Sequence, residues 1–163
     1  MLHSAIVATS EDSIHGVCLI TNQLIREGEA VWELDEPMYS WKEIESWSEE
    51  RRQAFDWYGF QCGLDQYSLP MGLSREMNHS CDPNTWWSGS TRLVARRDIQ
   101  AGEEITYDYS TADVDNAYEM ECTCGSSRCR GTISNRDHLN PAWQEQYGSN
   151  LPPHVLAAIA KVR

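Results

Sequence analysis

No window of this 163-residue chain approaches the ~18 consecutive apolar residues of a membrane span, so neither a transmembrane helix nor a membrane partner is expected. The opening stretch MLHSAIVATSEDSIHG has no basic flank followed by a long apolar run, and no signal peptide is expected. Repeats and low-complexity linkers are missing too. Basic side chains are scarce: 13 Lys and Arg stand against 25 Asp and Glu, a net charge of −12. Such a surface repels nucleic-acid backbones, so direct nucleic-acid binding is not expected, and it attracts cationic partners. Solubility is an equal reason for the charge. Together these absences suggest an intracellular setting, cytoplasmic or nuclear, where six cysteines serve metal or core rather than disulfides.

What is present suits one domain with a real core, rich in aromatics, with seven Trp and seven Tyr. Residues 3–8, 16–20 and 30–34 read as short strands. The segment 40–58 places Trp41, Ile44, Trp47, Ala54 and Phe55 near helical spacing behind a capping Ser40, which predicts one amphipathic helix. TWWSGSTRLVARR (85–97) predicts a hairpin around Ser88-Gly89, and EEITYDY (103–109) alternates like a strand. A helix is expected over PPHVLAAIAKV in the tail. The sum is a mostly β fold of short strands with a small helical insert.

Cys81, in NHSCDPN, has no cysteine near it in sequence; Cys122, Cys124 and Cys129 form a dense C-x-C-x4-C cluster far downstream. Structural zinc takes four thiolate or imidazole ligands in a tetrahedron, and the cluster offers three. Cys81 is the natural fourth, stapling the tail segment to the body; His79, Cys18 and Cys62 are rival ligands. Free surface thiols are the alternative to a metal.

REMNHSCDPN (75–84), ARRDIQAGEEITYDY (95–109) and CTCGSSRCRG (122–131), in that order, resemble a SET domain followed by its post-SET zinc segment. DSIHG (12–16) and REGEAVWE (26–33) are similar to the family's N-terminal part. The likeness covers about residues 3–133 and is closest to short stand-alone members. It implies a pseudoknotted fold, in which the Asn-His stretch threads beneath the tyrosine-bearing strand. The implied boundaries are a SET domain over 1–118 with an insert at about 36–74, a zinc segment over 119–133 and a helical tail over 134–163.

The same resemblance implies an S-adenosylmethionine-dependent protein-lysine N-methyltransferase acting on a lysine in a basic protein segment, such as a histone tail. Tyr109 matches the catalytic tyrosine, and Tyr107 the family's Phe/Tyr switch, where a hydroxyl implies mainly mono- or dimethylation. His15, Gly16 and Val17, with Arg75, Asn78 and His79, match cofactor-contacting positions, and Ile133 packs either on the adenine side or in the core. One structural zinc on Cys81, Cys122, Cys124 and Cys129 completes the expected cofactors. Two departures stand out: Cys18 replaces the second glycine of a Gly-x-Gly, and Leu34 stands where many members carry a channel tyrosine. Trp57, Tyr58 and Tyr67 are candidates for the missing aromatic. A SET-fold binding module with weak catalysis is the alternative function, and a small structural zinc protein of another family a third.

Overall fold

A computed structural model describes residues 1–10 and 16–162. Its strands are short, as the alternation in the sequence implies: β1 (Ile6–Thr9), β2 (Cys18–Thr21), β3 (Ala30–Glu33) and β4 (Met38–Tyr39) come first. Two helices follow, α1 (Trp41–Glu45) and α2 (Glu49–Tyr58), then β5 (Phe60–Gly63) and β6 (Gln66–Ser68). The central part holds β7 (Asn78–His79), β8 (Thr85–Trp87), β9 (Arg92–Ala95) and β10 (Thr106–Tyr107). The tail adds β11 (Glu119–Glu121), β12 (Thr132–Ser134), α3 (Pro141–Tyr147) and α4 (Pro153–Val162).

The strands form small sheets: β1-β2, β3-β9-β8, β4-β6-β5 and β11-β12, all antiparallel within each, and a parallel pair β10-β7. The expected hairpin is β8–β9, with Trp87 opposite Leu93 and Gly89 in the left-handed region at φ +75°. A core of Leu19, Ile25, Val31, Ile99 and Ile105, all fully buried, lies between the small sheets and meets Trp32, Phe60 and Trp87. This layering brings sequence-distant motifs to one place.

Two predicted elements differ. The single helix over 40–58 is two. Ser40 caps α1 with a reciprocal capping box to Glu43, as its position implied, but Ser48 accepts from the Arg51 amide and starts α2 afresh. Trp47, in the break, packs edge-on against Tyr39 at 4.8 Å and lies under the Arg51 guanidinium at 3.7 Å. A second cap and this aromatic nest outweigh helix continuation. Likewise only Thr106–Tyr107 of the 103–109 stretch pairs as a strand, because the Asp108 side chain accepts from the Ser110 amide and turns the chain into a 3-10 turn over Tyr109–Thr111.

The tail carries the expected α4 but also α3, which was not predicted. Its signal is local: Asn140 accepts from the Ala142 amide at 3.0 Å and Pro141 occupies the first helical position.

Candidate active site and metal centre

The parallel pair β7–β10 sets Asn78 against Thr106 and His79 against Tyr107. Two residues make so short a pairing that side chains must hold it. The Asn84 carboxamide donates to the Glu104 carbonyl at 2.8 Å and accepts from the Thr106 amide at 3.0 Å; Thr85 Oγ1 donates to the Thr106 carbonyl at 2.8 Å. Along extended backbone, successive side chains point to opposite faces. Tyr107 and Tyr109 therefore share one face, with ring centroids 4.8 Å apart, while Asp108 turns to the other.

On the tyrosine face lies a pocket lined by Trp32, Phe60, Met77, Trp87, Leu93 and Tyr107. Its aromatic rings meet edge-on or tilted, with centroids 5.7–6.5 Å apart. Tyr109 Oη donates to the Met77 carbonyl at 2.9 Å, so the phenol stands at the backbone that bounds this pocket. Burial, then the nearby Glu104 and Glu76 carboxylates, push the Tyr109 phenol up to about 12. Burial and the neighbouring Tyr109 raise Tyr107 well above the ordinary tyrosine range. Both hydroxyls are held neutral, as hydrogen-bonding rather than basic groups.

None of the three aromatics expected to replace the missing channel tyrosine lines this pocket. Trp57 is 84 % exposed, Tyr58 lies beneath the Arg75 guanidinium, and Tyr67 is buried with Ile44 and Phe55. Trp32, Phe60 and Trp87 line it instead. The signal for Trp32 and Trp87 was present as tryptophans on inward-facing strand positions, but which strands flank β10 is a matter of sheet order. Leu34 is partly buried against the main core.

The expected cofactor residues converge only in part. Asn78 Nδ2 donates to the Val17 carbonyl at 3.2 Å and to Glu104 Oε1 at 2.8 Å, which ties the Gly16–Val17 turn to β7. Gly16 has φ +90° and no atom within 4 Å of where a Cβ would stand. Cys18, at the missing glycine's place, is buried in β2. His15 lies outside the described residues. Arg75 is exposed and stacked 4.1 Å over the Tyr58 ring. Ile133 is fully buried against Cys81 and Cys122, the core-packing alternative.

The predicted metal ligands come together across the long sequence gap. Cys81 Sγ is 3.7 Å from Cys122 Sγ, and Cys122 Sγ is 3.8 Å from Cys129 Sγ. A ring nitrogen of His79 and the Sγ atoms of Cys81, Cys122 and Cys124 all lie within 4.8 Å of one another. Five donors thus surround a four-ligand site. Cys18 and Cys62, the other rivals, are not among them. Burial would raise the Cys124 thiol, but hydrogen bonds from the backbone amides of Cys81 and Ser126 and from nearby side chains outweigh it and bring Cys124 down to about 6.

Residues 16–110 match the family described as SET domain. The chain belongs to the SET domain family. Similar proteins include human histone-lysine N-methyltransferase 2B, 33 % identical over 140 residues that make up 76 % of this chain and 5 % of that protein. An H3 lysine-4 specific histone-lysine N-methyltransferase of Saccharomyces cerevisiae is 39 % identical over 71 residues, 39 % of this chain and 7 % of its own. Histone-lysine N-methyltransferase ASHR3 of Arabidopsis thaliana is 43 % identical over 70 residues, 39 % of this chain and 14 % of its own. This SET domain chain therefore spans a small part of the length of the relatives it matches. Among its described residues, no helix is long and apolar enough to cross a membrane.

Proposed function

We propose that the protein is a protein-lysine N-methyltransferase using S-adenosylmethionine, acting on a lysine in a basic protein segment. The observation that carries this reading is the placement of Tyr107 in the lining of an aromatic pocket, with Tyr109 packed beside it and its hydroxyl on the carbonyl of Met77, the residue before Asn78. The SET relatives named as histone-lysine N-methyltransferases support it. The net charge of −12 favours a basic partner.

Gly16, Val17 and Asn78 fit a cofactor. The turn leaves open space over a glycine, and Asn78 spends both amide protons on protein acceptors, so its Oδ1 is left to accept from an amino group. When bound, S-adenosylmethionine supplies a methyl group on a sulfonium. The protein's own work is to desolvate and aim the lysine amine. A dry aromatic pocket disfavours the ammonium form and lowers the lysine pKa. The Tyr109 hydroxyl and the Met77 carbonyl supply oriented polar atoms at that pocket's edge, and alignment of this kind accounts for much of the barrier reduction in a displacement that needs no strong base. Tyr107 fills the space beside the amine and limits the number of methyl groups.

The metal reading is one structural zinc on Cys81, Cys122, Cys124 and Cys129. Zinc–thiolate bonds of ~2.3 Å in a tetrahedron put sulfurs roughly 3.8 Å apart, close to the observed Cys81–Cys122 and Cys122–Cys129 separations. His79 competes by proximity, yet its Nδ1 accepts from the Tyr109 amide at 3.2 Å, which leaves the proton of a neutral imidazole on Nε2. Nε2, 3.3 Å from Cys81 Sγ, then donates to the sulfur rather than binding the ion. His79 thereby links the metal centre to Tyr109. On this reading the SET part runs over 1–118 and the zinc segment over 119–133.

Incubation with labelled S-adenosylmethionine and a panel of basic proteins tests the proposal. We expect label on lysine, and at least a 100-fold loss in Tyr109→Phe, on the order seen when one orienting transition-state group is removed, with the fold retained. Near-normal turnover in Tyr109→Phe, or no transfer by the unmutated protein, would overturn it.

A further inference from the structure

Asp108 stands between the two tyrosines and is 1 % exposed. Its carboxylate is enclosed by donors from the zinc segment and the tail. Arg130 approaches in bidentate fashion, Nη1 to Oδ2 and Nη2 to Oδ1, both at 2.8 Å. From α3, Trp143 Nε1 donates to Oδ2 at 3.0 Å and Tyr147 Oη at 2.8 Å. The Ser110 amide donates to Oδ1 at 3.1 Å.

The tail makes further polar contacts around the same turn. Gln146 Nε2 donates to the Cys81 carbonyl at 2.8 Å, and His154 Nε2 lies 2.7 Å from the Ala112 carbonyl. Asn135 Nδ2 reaches the Val114 carbonyl at 3.1 Å. Trp143, Tyr147, Leu151, Val155 and Ile159 form their own buried cluster against Val114. From the Asp108 carbonyl the chain of contacts runs on toward the pocket: Thr111 Oγ1 donates to it at 2.5 Å and accepts from Trp87 Nε1 at 2.8 Å.

We propose that the tail helices are a positioning clamp for the active site: Trp143 and Tyr147 hold Asp108, and through it fix the backbone that presents Tyr107 and Tyr109. The physical reason is the geometry of a tripeptide. Side chains at 107, 108 and 109 alternate, so fixing Asp108 on one face sets the height and rotation of both phenols on the other. A buried carboxylate with all its partners in place is held by several short hydrogen bonds at once, and losing donors leaves it under-satisfied and free to shift. A shift of about 1 Å at Tyr109 is enough to reduce rate by on the order of 100-fold. Trp143, Tyr147 and Asp108 are positioning residues; none of them lines the aromatic pocket.

The clamp rests on the methyl-transfer reading for its consequence but not for its existence, and one experiment separates the two. The double variant Trp143→Phe with Tyr147→Phe keeps both rings in the tail cluster and removes two donors from Asp108. Assayed well below its unfolding midpoint, it should lose about 10-fold or more in kcat, with KM for S-adenosylmethionine and for the peptide within about twofold. Backbone amides of residues 107–112 should exchange faster with deuterium than in the unmutated protein. An unchanged kcat overturns the clamp, and so do losses spread equally over kcat and both KM values, the pattern of general loosening. If the unmutated protein transfers no methyl group, the methyl-transfer reading falls and exchange at 107–112 decides alone: faster exchange upholds the clamp, unchanged exchange overturns it. Should the double variant fail to fold, Tyr147→Phe alone takes its place, with a loss of about threefold in kcat upholding the clamp and no loss overturning it.

Discussion

Two aspartates of one short segment, Asp108 and Asp113, are both buried, and their surroundings differ. Asp108 faces the cysteine-rich segment and the tail, where a bidentate Arg130 and two ring donors meet it. Asp113 sits behind the aromatic side, beside Phe60's strand. Its Oδ1 accepts from the Gln61 amide at 2.9 Å and from Asn116 Nδ2 at 3.2 Å, and among the described residues it has no ion pair. Burial pushes its carboxyl up to about 7, against the downward pull of those two hydrogen bonds. The difference teaches what each side of the 107–109 segment is built for. One side fixes position with charge and buried donors, and the other excludes water, so a carboxyl left there without a cation tends to take up a proton.

The largest expected effect tests the charged side. Cys81→Ser should lower zinc content as far as Cys124→Ser does and destabilise the tail by several kcal/mol, because metal affinity becomes folding free energy. On the proposed ligand set, His79→Ala should keep its zinc. Elemental analysis and thermal unfolding of the three variants check this. Zinc retained in Cys81→Ser and lost in His79→Ala would move the fourth ligand to the histidine.

A smaller effect tests the water-excluding side. Asp113 has a folded pKa raised from the ordinary 3.8 to about 7, so the fold favours its protonated form. That contribution is fully present below about pH 3.8 and is lost as pH rises through about 7. Asp113→Asn keeps an oxygen acceptor and no charge. Relative to the unmutated protein it should gain on the order of 2–3 kcal/mol between pH 5 and pH 8, read from denaturant midpoints at each pH. A flat difference across that range would mean that Asp113 has a cation or water within reach after all.

Tyr107→Phe is expected to have the smallest energetic effect. The ring stays against Trp87, at 6.5 Å between centroids, while the hydroxyl and any water it tethers are gone. First-step rate should stay within about twofold, with products shifting toward di- and trimethyl-lysine. Mass spectrometry of a lysine peptide through a full time course measures it. Abundant trimethyl-lysine from the unmutated protein would show that Leu34 and the surrounding tryptophans, rather than Tyr107, set the product.

Much of the site could be read in advance because its chemistry is local or its residue types are few. Three cysteines in C-x-C-x4-C spacing need a fourth donor, and Cys81 is within reach of them. Ser40 with Glu43, Ser88-Gly89 and Pro153 each announce an element end by short-range hydrogen bonding or backbone freedom. Errors fell where a second local signal competed with a longer pattern. Ser48 interrupts a helical repeat that otherwise runs from 41 to 58, and Asn140-Pro141 starts a helix in a stretch with few periodic apolar residues.

By itself the sequence determined the family, the mostly β character, the candidate tyrosines and the cysteine cluster that offers candidate metal ligands, since each depends on residue identity at short spacing. Only the tertiary structure decided which aromatics surround Tyr107, that His79 turns one nitrogen to the Tyr109 amide and the other to Cys81, and that the tail closes on Asp108. Most of these contacts join residues far apart in sequence, such as Trp32 with Trp87 or Asp108 with Tyr147. No periodicity encodes them. They follow from the order in which small sheets and helices stack, and that order is set by the burial of the whole core at once.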